Sequence, residues 1–257
     1  MGRGTQRRNT KNQRIAQQAL ATLVMDFEGD PRDPDIRHRR ANPAHDSSFK
    51  KRVRARTALQ GEFMEAIDEA TVIFGMGPAG TGKTYAAVRK ALELLATNQV
   101  RKIVLTRPAM EAAGERLGFL PGDMKEKLDP YLVPIYDILE EALGSQTLKA
   151  MRDNGQIEIC PLAFMRGRTL SNAVIVLDEM QNATMGQFKM ALTRLGEGSK
   201  AIVTGDPNQS DLDPKQSGLV PCADALEGAE GIRVVRFGRR EVIRSAIVAT
   251  ILDRLGE

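Results

Sequence analysis

The chain has 257 residues, of which 42% are hydrophobic, 27% are charged and 4% are aromatic. This composition is sufficient for one hydrophobic core and excludes a collagen-like or low-complexity chain, and no apolar run is long enough to predict a transmembrane helix. Two cysteines cannot build a disulfide framework or a four-cysteine zinc site, so we expect a reduced, cytoplasmic protein without a membrane segment.

Positive charge is concentrated at the beginning of the chain. The first 59 residues carry 14 Lys and Arg against six Asp and Glu, a net charge of +8, whereas residues 60–257 have a net charge of −4. We interpret residues 1–56 as a basic, partly extended arm, because residues 30–44 contain three prolines that follow Asp or Asn. The charge is compatible with attraction to nucleic-acid phosphates and with a solvated tail. Residues 15–25 are compatible with a helix of a transit peptide, but we expect no targeting segment.

From residue 57 onward, helix and strand patterns alternate. Helices are predicted at 58–70, 84–96, 125–143, 185–195 and 241–255. The third of these is expected to break at Pro130 and Pro134. Strands are predicted at 71–76, 102–106, 156–160, 173–177, 201–204 and 233–235. Strands separated by helices imply a mostly parallel sheet flanked by helices, so we expect one α/β domain over residues 57–257.

A complete P-loop follows the first predicted strand. The pattern G-x-x-x-x-G-K-[ST] is matched by Gly77, Pro78, Ala79, Gly80, Thr81, Gly82, Lys83 and Thr84. The glycines permit backbone conformations that point N–H groups at a triphosphate, and the following helix adds its positive N-terminal dipole. Lys83 is expected to contact the β- and γ-phosphates of ATP, and Thr84 is expected to bind Mg²⁺.

Two further strands end in polar residues. Asp178 and Glu179 follow the apolar strand 173–177, at the edge where open parallel sheets bind ligands. We expect Asp178 to hold Mg²⁺ through water and Glu179 to polarise the attacking water. The strand 201–204 leads to Gln209, whose neutral amide is expected to sense the γ-phosphate; a Gly-Asp-Pro turn without a catalytic role is the alternative.

Three motifs in this order resemble the PhoH-like ATPases, compact relatives of superfamily 1 helicase cores. The motifs are GPAGTGKT at 77–84, VIVLDEMQNAT at 174–184 and VTGDPNQ at 203–209. Residues 106–123 and 165–170 also resemble family segments, so the similarity spans about residues 59–255 and leaves out the arm. The resemblance implies a RecA-like fold, ATP binding and hydrolysis, and a link to RNA. One departure is that Ser245 follows Arg244, where the family pattern has a histidine.

The resemblance also implies an arginine that acts between subunits. A single RecA-like domain lacks the second lobe that encloses ATP in two-lobed helicases, and a neighbouring subunit of a ring can supply the missing arginine. We assign this role first to Arg244 and expect a homo-oligomer, with a hexamer favoured. The other candidates are Arg166, Arg168, Arg239 and Arg240, whereas Arg107 and Arg116 are expected to shape the site or bind nucleic acid. Superfamily 1 and 2 enzymes often recognise adenine with a glutamine before the first strand; Gln60 lies there, and an ordinary polar helix residue is the alternative.

Two functions follow from these residues. The first is a Mg²⁺-dependent ATPase that acts on RNA or single-stranded DNA as an oligomer. The alternative is an ATP-regulated assembly or adaptor protein for a nuclease or RNA-processing partner, without unwinding activity. Glu179 and the segment 204–209 argue against a small-molecule kinase. Stimulation of ATP turnover by RNA or single-stranded DNA would separate the first two.

Overall fold

The computed structural model describes residues 12–18, 54–108, 124–243 and 254 of the chain. Within these residues, the centre of the domain is a six-stranded sheet in which all neighbouring strands are parallel. The strands are β1 Val72–Met76, β2 Lys102–Arg107, β3 Ile157–Pro161, β4 Ala173–Leu177, β5 Lys200–Gly205 and β6 Ile232–Arg236. Their order across the sheet is β3-β2-β4-β5-β1-β6, so β5 separates the P-loop strand β1 from the acid-bearing strand β4.

Helices cover both faces of this sheet. They are α1 at residues 12–18, α2 Ala58–Glu69, α3 Lys83–Ala96, α4 Met124–Leu143, α5 Ser145–Asp153, α6 Met185–Leu192 and α7 Leu219–Leu226. One apolar core cluster lies between the sheet and helices α1 to α5, and a second lies between the sheet, α6 and α7. The predicted class, an α/β domain with a mostly parallel sheet flanked by helices, is confirmed.

Two of the described helices, α2 and α6, begin at a side-chain cap. The Thr57 side chain accepts a hydrogen bond from the Gln60 backbone N–H, 3.2 Å away, and α2 follows. Thr184 and Gln187 form a capping box at the start of α6, which satisfies N–H groups that lack helical partners. The start of α6, which follows β4 and the 3₁₀ turn Met180–Asn182, is therefore fixed.

The structure differs from three of the predicted helices. The expected break of α4 at Pro130 and Pro134 is wrong, since the helix runs without interruption from Met124 to Leu143. Burial of Leu132, Ile135 and Leu139 in the core outweighs the lost backbone hydrogen bond and the steric cost of proline. Helix α6 ends three residues earlier than predicted, and residues 241–243 are not α-helical; residues 244–253 lie outside the described part of the chain.

Part of the segment predicted as an arm packs on the domain. Ala16 in α1 is only 2% exposed and belongs to the core cluster that also contains residues of α2 to α5. Asn12 Nδ2 donates a hydrogen bond to Asp153 Oδ2, 3.1 Å away at the end of α5. The N-terminal region is thus not wholly separate from the domain, and residues 19–53 lie outside the described residues.

Both cysteines lie in the core of the domain. Cys160 and Cys222 are buried and do not form a disulfide bond. Burial raises the pKa of the Cys160 thiol to about 11 and also raises that of Cys222, so both thiols stay protonated near neutral pH. In the described residues, none of the helices combines the length and the apolar character needed to cross a membrane.

Candidate nucleotide-binding site

The carboxyl ends of the parallel strands bring the predicted motifs to one edge of the sheet. The P-loop follows β1, the two acids follow β4, and the segment 206–209 follows β5. A pocket of about 350 Å³ lies between these three segments. Its lining residues are Ala79, Gly80, Gly82, Lys83, Thr84, Tyr85, Ile138, Asp178, Glu179, Gly205, Asp206 and Gln209. Residues that are far apart in the sequence therefore meet around one cavity.

The backbone of the P-loop requires glycine at its two ends. Gly77 has φ 144° and Gly82 has φ 78°, and L-residues with a side chain rarely adopt such values. A Cβ atom on Gly77 would collide with the carbonyl oxygen of Phe237 and lie 2.8 Å from the Cβ of that residue. The loop is also held from outside, because Ile243 N donates a hydrogen bond to Gly80 O at 2.9 Å.

The Lys83 ammonium group lies inside the curve of the loop. Its Nζ donates to the carbonyl oxygens of Gly77 and Pro78, at 2.6 and 2.7 Å, and to Thr81 Oγ1 at 3.2 Å. Burial lowers the pKa of Lys83, and the nearby carboxylates of Asp206, Glu179 and Asp178 oppose this effect. These contacts hold one cationic group next to the pocket that the acids line.

Asp178 is the most completely bonded side chain of the site. It is 1% exposed; its Oδ1 accepts hydrogen bonds from Thr84 Oγ1 at 2.7 Å and from Thr204 Oγ1 at 2.5 Å. Its Oδ2 accepts from Arg107 Nε at 2.7 Å, and Arg107 Nη2 lies 2.5 Å away. One carboxylate therefore connects the start of α3, the end of β2 and the end of β5 with its own strand.

The donor set around Asp178 fits a hydrated Mg²⁺ ion. Because Thr84 donates its hydroxyl proton to Asp178, the lone pairs of its oxygen remain available to a cation. The described residues contain no group of three His, Cys, Asp or Glu that could hold a metal by themselves. Mg²⁺ is commonly bound by one or two protein oxygens together with water and phosphate oxygens, which is what these residues offer.

Glu179 has a strained backbone and a fixed carboxylate. Its φ of 55° and ψ of 38° lie in the left-handed region, which is uncommon for a residue other than glycine and often marks a functional site. Its Oε2 accepts a hydrogen bond from Gln181 Nε2 at 2.6 Å, and the buried Gln181 accepts in turn from Asp206 N at 3.1 Å. The side chain is still 46% exposed and faces the pocket.

Several residues of this network were not among the predicted site residues. Asp206 Oδ2 accepts a hydrogen bond from the P-loop N–H of Ala79 at 3.1 Å, so it is Asp206 that ties the segment after β5 to the P-loop. Gln209 lines the pocket with an exposed side chain, and its role as a γ-phosphate sensor stays a prediction. Gln181 and Asp206 lie within the recognised motifs, whereas Arg107 could be connected with Asp178 only through the strand order.

Gln60 lies directly beneath the P-loop. Its Nε2 donates to Thr81 O at 2.7 Å, and its Oε1 accepts from Arg56 N at 2.8 Å. It lines a second pocket of about 270 Å³ on the Tyr85 side of the loop. Backbone groups already form hydrogen bonds with both the oxygen and the nitrogen of the Gln60 amide. Recognition of adenine by Gln60 would require at least one of these hydrogen bonds to be shared or released. This role of Gln60 stays a prediction.

The predicted arginines are distributed over several places. Arg244 lies outside the described residues. Arg239 and Arg240 are exposed on a short 3₁₀ turn after β6, whereas Arg166 and Arg168 follow β3 at the far edge of the sheet. Within the described residues, none of these four lines the 350 Å³ pocket.

Comparison with known proteins agrees with the motifs. Residues 52–255 match the family model described as PhoH-like protein. The chain belongs to the PhoH-like protein family. A PhoH-like protein of Bacillus subtilis (strain 168) is 51% identical over 205 residues, which are 79% of this chain and 64% of that protein. Protein PhoH of Escherichia coli (strain K12) is 45% identical over 208 residues, 79% of this chain and 58% of that protein.

This PhoH-like chain spans less than two thirds of the length of these relatives. Two solved structures are more distantly similar. The large terminase of a thermophilic bacteriophage has 11% identity and a TM-score of 0.47, over 78% of this chain and 50% of the terminase. The Pif1 helicase of Candida albicans has 14% identity and a TM-score of 0.39, over 79% of this chain and 44% of the helicase. The family and the P-loop identify an NTPase-type protein.

Replacing Gly77 by alanine tests the geometry of the loop. We predict that Gly77→Ala weakens nucleotide binding at least tenfold, because the new Cβ collides with Phe237 and displaces the loop. The control is Gly155→Ala, which also has a positive φ, 72°, but would place its Cβ in open space. The control should lose about 1–2 kcal/mol of unfolding free energy and keep its nucleotide affinity. Equal nucleotide affinity in the two variants, measured by titration calorimetry, would contradict the assigned geometry.

Proposed function

We propose that this PhoH-like chain is a Mg²⁺-dependent ATPase whose reaction takes place in the 350 Å³ pocket. The observation that carries the proposal is the convergence of Lys83, Thr84, Asp178 and Glu179 on one cavity at the carboxyl edge of a parallel sheet. A cation, a hydroxyl and two carboxylates around a P-loop are the groups that phosphoryl transfer to water requires. The arrangement supports hydrolysis better than simple nucleotide binding, which needs no second acid.

Each residue has a distinct part in this proposal. The N–H groups of the P-loop and Lys83 bind the β- and γ-phosphates, and Lys83 must exchange its bonds to Gly77 and Pro78 for bonds to phosphate. Thr84 and Asp178 would hold Mg²⁺, which when bound neutralises charge on the phosphate oxygens. Both residues already share a hydrogen bond, so little rearrangement is required to accept a hydrated cation.

Glu179 is proposed as the group that accepts a proton from the attacking water. Its carboxylate is exposed to the pocket on one side and bonded to Gln181 on the other, which fixes its direction. Gln181 Oε1 also accepts a hydrogen bond from the Asp206 backbone N–H. A movement of the segment after β5 would therefore shift Gln181 and, through it, the Glu179 carboxylate. Gln209 on that segment is the proposed γ-phosphate sensor.

Nucleic acid is the proposed second partner, and a ring, with a hexamer favoured, is the proposed assembly. The net charge of +8 on residues 1–59 supports attraction to RNA or single-stranded DNA. The proposed arginine in trans, Arg244, directly follows Ile243, whose backbone N–H bonds to Gly80 of its own P-loop. An action of Arg244 in its own subunit is therefore the alternative that an experiment on the ring has to test.

Two substitutions separate binding from hydrolysis. We predict that Lys83→Ala loses most of its ATP affinity, whereas Glu179→Gln binds ATP normally and loses turnover by about 10²–10⁴-fold, the usual contribution of a general base. Matched controls are the exposed Lys149→Ala and Glu230→Gln, which should keep affinity and turnover within twofold. ATP affinity and steady-state turnover are measured for all four. Turnover close to that of the wild type in Glu179→Gln would remove Glu179 from the mechanism.

Mixed oligomers test the arginine in trans. Lys83→Ala subunits lack an ATP site but keep Arg244, and Arg244→Ala subunits keep the site but lack the arginine. If Arg244 acts on the neighbouring subunit, co-purified mixtures of the two inactive variants should regain a measurable fraction of wild-type turnover. The control mixture pairs Arg244→Ala with the double variant K83A/R244A, which cannot donate an arginine. Equal turnover in both mixtures, with oligomers present by light scattering, would contradict action in trans.

A further inference from the structure

An aromatic side chain is exposed on the turn that follows β3. The 3₁₀ turn Leu162–Met165 buries Leu162 and Met165 in the core under α6, whereas Phe164 is 50% exposed. Among the described residues, the other large apolar side chains exposed to a similar degree are aliphatic or Met: Val133, Met185 and Val220. Leu162 and Met165 already anchor the turn, so the Phe164 ring is not required for core packing.

The turn that carries Phe164 is held rigidly. Arg168 forms two hydrogen bonds with Glu158, from Nη1 to Oε1 at 2.7 Å and from Nη2 to Oε2 at 2.8 Å. Lys102 Nζ bonds to the same carboxylate at 2.5 Å, and Arg194 Nη1 donates to Arg168 O at 3.2 Å. A ring presented on a fixed turn loses little conformational entropy when a flat ligand stacks on it.

Cationic residues outnumber acids in the segments that form this turn and the helix packed against it. Residues 162–172 and 185–195, which form the turn with its extension and the adjoining helix α6, contain four cations and no acid. These cations are Arg166, Arg168, Lys189 and Arg194. Glu158, which lies on β3 before the turn, is paired with Lys102 and Arg168. Arg166 and Lys189 are exposed, so this surface has an excess of positive charge next to an aromatic face.

The surface lies at the same edge of the sheet as the nucleotide pocket but not in it. The turn follows the carboxyl end of β3, and the strand order places β2 and β4 between β3 and β5. Phe164, Arg166 and Lys189 do not line the 350 Å³ pocket. Helix α6 begins six residues after Glu179, and its N-cap residue, Thr184, lies in the short segment between them. A ligand on this surface would therefore contact the helix into which the catalytic segment leads.

We propose that Phe164, Arg166 and Lys189 form a binding site for single-stranded nucleic acid. One nucleobase stacks on the Phe164 ring, and the two cations pair with flanking phosphates. This inference rests on the proposed function and adds a location to it, since the basic charge of the N-terminal region does not provide a stacking surface. Stacking tolerates every base and both sugars, so RNA and DNA single strands should bind, whereas a duplex hides its base faces.

Fluorescence anisotropy with labelled oligo-U, oligo-dT and a duplex of equal length tests the site in the full chain without ATP. Phe164→Ala should weaken binding of both single strands about 5- to 100-fold, the range expected for one lost base stack, and leave the salt slope unchanged. Phe164→Tyr should stay within twofold of the wild type. Arg166→Gln and Lys189→Gln should each reduce the magnitude of the salt slope by about 0.7.

The controls are Val133→Ala and Lys149→Gln. Val133 is 48% exposed on α4, on the opposite face of the sheet, and Lys149 is an exposed lysine on α5. Both should bind oligonucleotides as the wild type does. Far-UV circular dichroism and light scattering show whether each variant keeps its fold and its oligomer mass.

Four results would overturn the inference: no binding of single strands by the wild type, unchanged binding in Phe164→Ala, equal loss of binding in Val133→Ala and Phe164→Ala, or a loss of binding that accompanies dissociation of the oligomer. The last result would assign the surface to contact between copies of the chain. The proposed ATPase fails separately, because its failure appears as absent ATP turnover, whereas this test measures oligonucleotide affinity without ATP.

Discussion

The architecture of the site depends on the burial of one carboxylate. Asp178 is 1% exposed, and a buried charge is costly unless it is paired and hydrogen-bonded. Arg107 supplies the opposite charge, and the hydroxyls of Thr84 and Thr204 supply the remaining bonds. These partners come from the end of β2, the start of α3 and the end of β5, so satisfying Asp178 fixes three loops relative to one another. The pocket is the space that these fixed loops enclose.

The nucleotide pocket and the Phe164 surface use the same edge of the sheet in different ways. The pocket is lined by the P-loop with Lys83 and by the carboxylates of Asp178, Glu179 and Asp206, which suit phosphate and a cation. The Phe164 surface is exposed, aromatic and basic, which suits a flexible polyanion with flat bases. Helix α6 joins them, because it begins shortly after Glu179 and packs against the turn that carries Phe164.

Much of the fold and the centre of the site could be predicted because the relevant patterns are local. The P-loop is a contiguous motif, and β4 is a run of five apolar residues because a central parallel strand is buried on both faces. Contacts that depend on strand order could not be predicted, such as the pair of Arg107 with Asp178 across β2 and β4. The uninterrupted α4 was missed because tertiary packing, rather than local propensity, decides the conformation around Pro130 and Pro134.

We infer that the ion pair between Arg107 and the buried Asp178 holds the site together before any nucleotide binds. A double-mutant cycle with Arg107→Gln and Asp178→Asn measures it through the free energy of unfolding without nucleotide. Arg107→Gln should lose about 3 kcal/mol, because it leaves the buried Asp178 carboxylate without its counter-charge, and the double variant should lose at least about 1 kcal/mol less than the sum of the two single losses. The exposed pair of Glu69 and Arg233 is the reference, with an expected coupling below about 1 kcal/mol. Losses of unfolding free energy that add within about 0.5 kcal/mol for Arg107 and Asp178 would show that the two side chains do not stabilise the site as a pair.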